Sequence, residues 1–257
     1  MGLLVTVAAA LAATAGAVWW LVRGRGGAGA APVSQPPPIK VSPEHAAKHR
    51  QARAVVLEAF QLAGVSPTPA KVQYVQAVGY LETGYGRWPF GAVPNQNNWG
   101  AVQCPSGAPD SECTAAAQDS KASGAKYSVR FRAYPTPAAG AADLVRNVLA
   151  KRPRVAAALE ASPPTVFGAS FAMRRERYFE GFCKKAAKQY GDGVANASFR
   201  EPDRDQGTRA CQREAVEGHA GGIWQYVREI AASLGEPVAM ALGSYEETEQ
   251  AYRGGVA

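Results

Sequence analysis

The chain has 257 residues, of which 47% are hydrophobic, and a formal net charge of +7. This length allows one substantial hydrophobic core and excludes two large ones, so we expect one globular domain. The basic charge favours an anionic partner, which either a cell-wall polymer or a nucleic acid would satisfy. Because no motif that reads DNA or RNA is present and the charges are scattered, we expect no specific nucleic-acid binding.

Residues 3–22 form an uninterrupted apolar stretch of bilayer-spanning length, with Trp19 and Trp20 near its end. We predict a transmembrane anchor over residues 1–23. A cleaved signal peptide is the alternative, because Ala28-Gly29-Ala30 has the small residues of a cleavage site. The apolar stretch is longer than a usual signal core and no Lys or Arg precedes it, which favours the anchor.

The next segment, residues 24–41, is rich in Gly, Ala and Pro and contains three consecutive prolines. Such a composition is typical of an extended tether. We expect the globular domain to cover residues 42–235 and a C-terminal tail to cover residues 236–257.

The first predicted helix begins at Ser42-Pro43 and ends at Gly64. The second has Thr68 as its N-cap and Pro69 as its first residue, and Gly84 is the expected left-handed C-cap. Its apolar residues recur at helical spacing: Val72, Val75, Val78 and Leu81.

Glu82 therefore lies in the last turn of the second helix. There the negative end of the helix dipole and the apolar neighbours both disfavour the charged carboxylate, and so they raise its pKa. A glutamic acid that keeps its proton near neutral pH is what protonation of a glycosidic leaving group requires.

Between residues 91 and 134 the apolar runs become short and are separated by Gly, Ser, Pro and Asp, which predicts a small β-lobe. Helical spacing then resumes at Thr136-Pro137, again around residues 167–182, and finally over residues 223–234. We therefore predict a mainly helical α+β domain with one β-lobe.

Three motifs occur in order along the chain: Glu82-Thr83-Gly84-Tyr85-Gly86, Asn97-Asn98-Trp99-Gly100-Ala101-Val102-Gln103 and Phe131-Arg132-Ala133-Tyr134. Together they resemble the catalytic core of the endo-β-N-acetylglucosaminidases of glycoside hydrolase family 73, over about residues 43–190. The resemblance implies a lysozyme-like fold and hydrolysis of β-1,4 glycosidic bonds in peptidoglycan, with no cofactor. The chain departs from the family in a shorter loop around Asn97, an added Cys104–Cys113 segment and a long extension after Tyr190.

The resemblance also implies catalytic roles. Glu82 is the general acid, and the second carboxylate belongs to the β-lobe, where Asp119 is closest to the family position; Glu112 and Asp110 are the reserves. Tyr178 looks like the family's tyrosine near the cleaved bond, although its spacing from Phe171 also fits a core aromatic residue.

Four further residues are expected to bind the substrate. The amides of Asn97 and Asn98 suit N-acetyl or hydroxyl groups, and the indole of Trp99 suits the face of a sugar ring. Tyr85, which follows the catalytic helix, is the fourth.

The four cysteines pair most simply by proximity along the chain, which predicts two disulfides in an oxidising compartment: Cys104 with Cys113 and Cys183 with Cys211. Free thiols and other pairings are the alternatives. We expect no metal site, because His45, His49 and His219 have no nearby cysteine partners. His45 and His49 are expected to form a solvated helix face.

Three functions follow from these patterns. The first is hydrolysis of peptidoglycan glycan strands, and the second is lytic transglycosylation, which needs a single acid/base and makes Asp119 dispensable. The third is a noncatalytic, membrane-anchored wall-binding or virion structural protein.

We expect the domain to be membrane-anchored and to lie in the periplasm or outside the cell. Arg23 and Arg25 instead favour a cytoplasmic domain by the positive-inside rule, a conflict that an enzyme carried on a virion would escape.

Overall fold

The structure is a computed structural model that describes residues 37, 39–89, 92–120, 126–179 and 183–255. The predicted anchor at residues 3–22 and most of the predicted tether at residues 24–41 lie outside these ranges. Within them, no helix is both long enough and apolar enough to cross a membrane.

The described chain is a mainly helical α+β domain, as the sequence predicts. Its strands are β1 (Ala117–Ser120) and β2 (Lys126–Val129), and a 3-10 turn covers Asp110–Glu112. A π-helical turn over Arg146–Ala150 directly continues the third helix. The helices are α1 (Pro43–Ala63), α2 (Pro69–Thr83), α3 (Pro137–Val145), α4 (Pro153–Glu160), α5 (Val166–Arg175), α6 (Lys184–Tyr190), α7 (Gly193–Arg200), α8 (Gln206–Leu234) and α9 (Tyr245–Arg253).

The predicted ends of α2 are confirmed. The Thr68 side chain accepts a hydrogen bond from the backbone of Lys71, and Gly84 adopts the left-handed conformation with φ of 59°. Every residue from 70 to 80 is buried, so this helix is enclosed on all sides. The polar residues among them are paired: Gln73, for example, donates to the carbonyl of Pro237 at 2.8 Å.

The main hydrophobic core forms around α2. Helices α1, α3 and α8 all pack against it, and α8 also contacts α5, α6 and α7. The largest fully buried apolar side chains of this core include Phe60, Tyr74, Leu144, Ile223 and Ile230.

Residues 236–255, assigned from sequence to a tail, are part of the same packed body. Val238 and Met240 lie in the main core, and Tyr245 at the start of α9 is buried. The side-chain oxygen of Gln73 accepts a hydrogen bond from the backbone of Ala239 at 2.9 Å. The segment is therefore fastened to α2 by a buried amide as well as by apolar contacts.

The predicted β-lobe is present as an antiparallel hairpin of β1 and β2, in which Ala117 pairs with Val129 and Asp119 with Tyr127. Two isolated bridges extend the pairing, one between Gln103 and Phe131 and the other between Cys113 and Arg132. Each bridge connects the loop before β1 to the segment after β2.

Both predicted disulfides are confirmed, Cys104–Cys113 in the β-lobe and Cys183–Cys211 between the start of α6 and α8. The second has a small apolar cluster of its own with Ala186 and Val194. Among the described residues, no group of three or more His, Cys, Asp and Glu side chains could hold a metal ion.

The prediction of a solvated face for the two α1 histidines is wrong for His49. Its side chain is fully buried between α1 and α2, and its Nδ1 lies 2.6 Å from the hydroxyl of Tyr85. His45 stays partly exposed. The α1 face that carries His49 is covered because it packs on Tyr80 and Tyr85.

A first prediction concerns Gly140 in α3, where a Cβ would overlap the carbonyl oxygen of Asn97. Because a backbone atom must move to make room, Gly140→Ala should lower the free energy of unfolding by about 3 kcal/mol or more. Gly218→Ala is the matched control, since this helical glycine has open space around it and alanine is the better helix former. Urea denaturation should show the control unchanged or slightly stabilised; equal effects in both variants would contradict the contact.

A second prediction concerns the disulfides, which close loops of 9 and 28 residues. In the chain-entropy model the longer loop gives the larger stabilisation, roughly 3 to 4 kcal/mol against roughly 2 to 3 kcal/mol. Replacing Cys183 and Cys211 together by Ser should therefore destabilise the protein more than replacing Cys104 and Cys113. Mass mapping without reduction, combined with thermal denaturation of both double variants, checks the pairing and the order.

Candidate active site

Glu82 lies in the last turn of α2 and is partly buried. Its carboxyl forms no hydrogen bond or ion pair with any described residue. Burial raises the pKa of Glu82 to about 7. A carboxyl with a perturbed pKa and no stabilising partner is a candidate for a chemical role.

The two residues after Glu82 hold the helix end in place. The Thr83 hydroxyl donates to the carbonyl of Trp99 at 3.0 Å and accepts from the backbone of Gly86 at 2.9 Å. Gly84 supplies the left-handed residue that ends the helix. The Glu-Thr-Gly motif thus fastens the carboxyl-bearing turn to the loop that follows.

The structure brings Tyr178 close to Glu82. The hydroxyl of Tyr178 is buried and has no hydrogen-bond partner. Burial raises the pKa of Tyr178 well above its ordinary value, and the charge of Glu82 raises it further. Gly100 lies beside this hydroxyl, since a Cβ at Gly100 would be 3.5 Å from it. A protonated phenol and a protonatable carboxyl therefore lie near one another, both shielded from water.

The spacing of Tyr178 with Phe171 suggested a helix that contains both. The structure ends α5 at Arg175, and Tyr178 lies in the turn beyond it. The backbone of Tyr178 donates to the carbonyl of Met173 at 2.9 Å. Tyr178 packs against the main core, whereas Phe171 forms a separate cluster with Tyr245 and Tyr252.

Strained backbone occurs next to this site. Among the described residues, the non-glycine residues with positive φ are Tyr85 (66°), Asn97 (59°), Ala101 (47°) and Arg177 (58°). Three of them lie in the loops that follow Glu82, and Arg177 directly precedes Tyr178. Such conformations persist where the surrounding structure enforces them, and they concentrate at functional sites.

Two of the expected substrate-binding residues are buried, which corrects that expectation. Asn98 is 0% exposed, and its amide bonds the carbonyls of Val102 and Arg132 at 2.9 and 3.0 Å. Trp99 is 2% exposed and packs against Gly79 and the ring of Tyr85. Both side chains shape the loop from within and present no surface to a sugar.

Tyr85 is likewise buried, at 4% exposure, with its hydroxyl on His49. It therefore supports the core and is not placed to bind a substrate. Asn97 stays partly exposed and donates from its amide to the carbonyl of Tyr134 at 3.0 Å. Of the four residues expected to bind substrate, Asn97 alone retains an accessible surface.

The position of the second carboxylate remains a prediction. Asp119 is placed on β1 opposite Tyr127, and the structure does not describe its side chain. Of the reserves, Asp110 pairs with Arg130 at 2.8 Å at the surface, and Glu112 is exposed in the 3-10 turn. No described carboxylate shares a hydrogen bond with Glu82.

Sequence reasoning missed Arg152, which precedes α4. Its guanidinium carbon lies 4.9 Å from the centre of the Tyr178 ring. A single arginine in a basic chain has no periodicity or motif to distinguish it, so only the folded structure reveals this contact.

A cavity of about 320 Å³ lies elsewhere, between α4, α5 and α9, and Glu82 is not among its lining residues. Its acidic residue Glu247 already accepts a hydrogen bond from Ser244 at 2.9 Å. The Glu82 site is the stronger candidate for chemistry because it combines a carboxyl of raised pKa with a buried hydroxyl that has no hydrogen-bond partner among the described residues.

Comparisons of the chain with protein-family models, with curated proteins and with solved structures found no match. The fold and site by themselves define a mainly helical α+β domain with a high-pKa glutamic acid at the end of its central helix.

A third prediction uses the pKa of Glu82. Because this pKa is raised from 4.5 to about 7 in the folded protein, the unfolded chain loses its proton first as pH rises. The free energy of unfolding therefore falls by up to about 3 kcal/mol between about pH 4.5 and 7. Above about pH 7 it stays level. Glu82→Gln cannot lose a proton, so this variant should gain stability over the wild type across that range.

Urea denaturation at pH 5 and pH 8 measures the difference. The exposed Glu58→Gln on α1 is the control and should behave as wild type. An identical pH dependence in the wild type and Glu82→Gln would show that Glu82 titrates as an exposed carboxyl.

Proposed function

We propose that this protein is a lysozyme-like peptidoglycan hydrolase that cleaves β-1,4 glycosidic bonds of glycan strands, as an N-acetylglucosaminidase or a muramidase. The observation that carries the proposal is the Glu82 carboxyl, which has no partner and a pKa of about 7 beside the free hydroxyl of Tyr178. The three motifs that resemble glycoside hydrolase family 73 give the substrate class.

In the proposed reaction Glu82 donates its proton to the glycosidic oxygen as the bond between that oxygen and the anomeric carbon breaks. Positive charge develops on the sugar ring at this step. A water molecule then attacks the anomeric carbon while a carboxylate, for which Asp119 is the candidate, accepts a proton from it. The buried Tyr178 hydroxyl is proposed to act on the Glu82 carboxyl, whose charge influences it, and not on the substrate directly.

The remaining features suit this function. The two disulfides fit an oxidising compartment, and the net charge of +7 favours anionic wall polymers. We propose that residues 3–22 anchor the enzyme to a membrane and that the tether lets the domain reach the wall from the periplasmic or extracellular side, or from a virion.

Lytic transglycosylation is the second candidate. It requires only one acid/base group and forms an anhydro product without water. The observation in its favour is that, among the described side chains, Glu82 has no carboxylate partner. A noncatalytic wall-binding or virion structural protein is the third, and the raised pKa of Glu82 speaks against it, since binding alone does not require a carboxyl of this kind.

The test is digestion of purified peptidoglycan by the wild type and by Glu82→Gln, with products identified by mass spectrometry. Glutamine preserves shape but cannot transfer a proton, so activity should fall by about a hundredfold or more. Wild-type activity should also decline as pH rises through about 7, because the acid then loses its proton. Glu58→Gln, far along α1, should retain full activity; an active Glu82→Gln enzyme would overturn the assignment.

Asp119→Asn separates the two enzymatic candidates. If Asp119 activates water, this variant should lose activity to an extent comparable with Glu82→Gln. A transglycosylase should instead keep most of its rate and release anhydro-muramyl ends.

A further inference from the structure

Arg152 occupies a distinctive place beside Tyr178. It is the second residue after the π-helical turn of Arg146–Ala150, and Pro153 of α4 follows it. Its Nη1 donates a hydrogen bond to the carbonyl of Asn147. The anchored guanidinium therefore covers the phenol ring at the 4.9 Å distance given above.

The π-helical turn explains how the backbone presents this arginine. The backbone of Lys151 donates to the carbonyl of Arg146 at 2.9 Å, which is the wide i to i+5 pattern. Such turns are rare and frequently occur at functional sites. The side chain of Asn147 donates to Asp143 at 3.2 Å, and Asp143 accepts from the Tyr134 hydroxyl at 2.5 Å. The anchor of Arg152 is thus itself held by hydrogen bonds.

The interactions of Arg152 match a role in orienting its neighbour. Its Nε is buried and has no hydrogen-bond partner among the described residues; beyond the Asn147 carbonyl, the guanidinium lies over the Tyr178 ring and is influenced by the charge of Glu176. The Tyr178 hydroxyl has no partner either, so no hydrogen bond of its own fixes its direction. The phenol packs against the main core, and the cation–π contact with Arg152 and the contact with Gly100 add to that packing.

We propose that Arg152 is a positioning residue that holds the Tyr178 ring so that its hydroxyl faces Glu82. The inference rests on the proposed function, because the reaction is what gives this orientation a consequence. A displaced Tyr178 ring would change the surroundings of the Glu82 carboxyl, and misplacement of a catalytic group on the scale of an ångström can cost about a hundredfold in rate.

The experiment is a double-mutant cycle of Arg152→Gln and Tyr178→Phe, read as kcat and KM on purified peptidoglycan. Each single variant should lower kcat by about 10- to 100-fold with little change in KM. The double variant should be no slower than Tyr178→Phe, because both changes remove the same hydroxyl contribution. Arg152→Lys should recover little, since an ammonium lacks the planar group that stacks on the ring.

Arg154→Gln is the matched control. Arg154 lies two residues further on, and its guanidinium lies 5.7 Å from the ring centre of Tyr252, in the cavity away from Glu82. It should retain wild-type kcat. Effects of Arg152→Gln and Tyr178→Phe that multiply in the double variant, or an Arg152→Gln enzyme with wild-type kcat, would overturn the positioning role.

A second measurement does not depend on turnover. The carboxyl carbon signal of Glu82 in an NMR titration should change in the same direction in Arg152→Gln and Tyr178→Phe, and stay as wild type in Arg154→Gln. A signal changed by Tyr178→Phe and unchanged by Arg152→Gln would refute the positioning role even in an active enzyme. An inactive wild type with matching changes in both variants would instead refute the proposed function and leave the orientation supported.

Discussion

The enclosure of α2 is the constraint on which the rest of the structure depends. Every residue from 70 to 80 is buried, so other elements must pack around the whole helix. Its C-terminal end is fastened by Thr83, which bonds the carbonyl of Trp99 and the backbone of Gly86. Glu82 lies one residue before this fastening, so its position is as rigid as the core.

The loop after α2 contains residues that the sequence pattern predicts to contact a substrate. Asn98, Trp99 and Tyr85 are buried, and each satisfies a local structural need. Asn98 closes its own loop with hydrogen bonds, while Trp99 and Tyr85 fill the space beside Gly79 and His49. Residues of such a motif can therefore build the support of a loop without contacting a substrate.

Polar groups around Tyr178 divide into two kinds. Tyr134, Asp143 and Asn147 are joined in a hydrogen-bonded chain, which rigidifies the wall. The Tyr178 hydroxyl has no such bond among the described residues. A buried polar atom without a partner costs roughly 1 to 3 kcal/mol, so this hydroxyl is an exception within an otherwise bonded network.

The sequence by itself determined the local features: the caps at Thr68 and Gly84, the position of Glu82 in a last helical turn, the β-hairpin region and the two disulfide pairs. Each depends on residues that are near in the chain, where cap chemistry, spacing and short loop closure decide the outcome. Tertiary structure alone decided that His49, Asn98 and Trp99 are buried, that residues 236–255 join the core, and that Arg152 stacks on Tyr178. These outcomes depend on which surfaces meet across long stretches of chain, and a spacing pattern carries no information about the surface that will cover it.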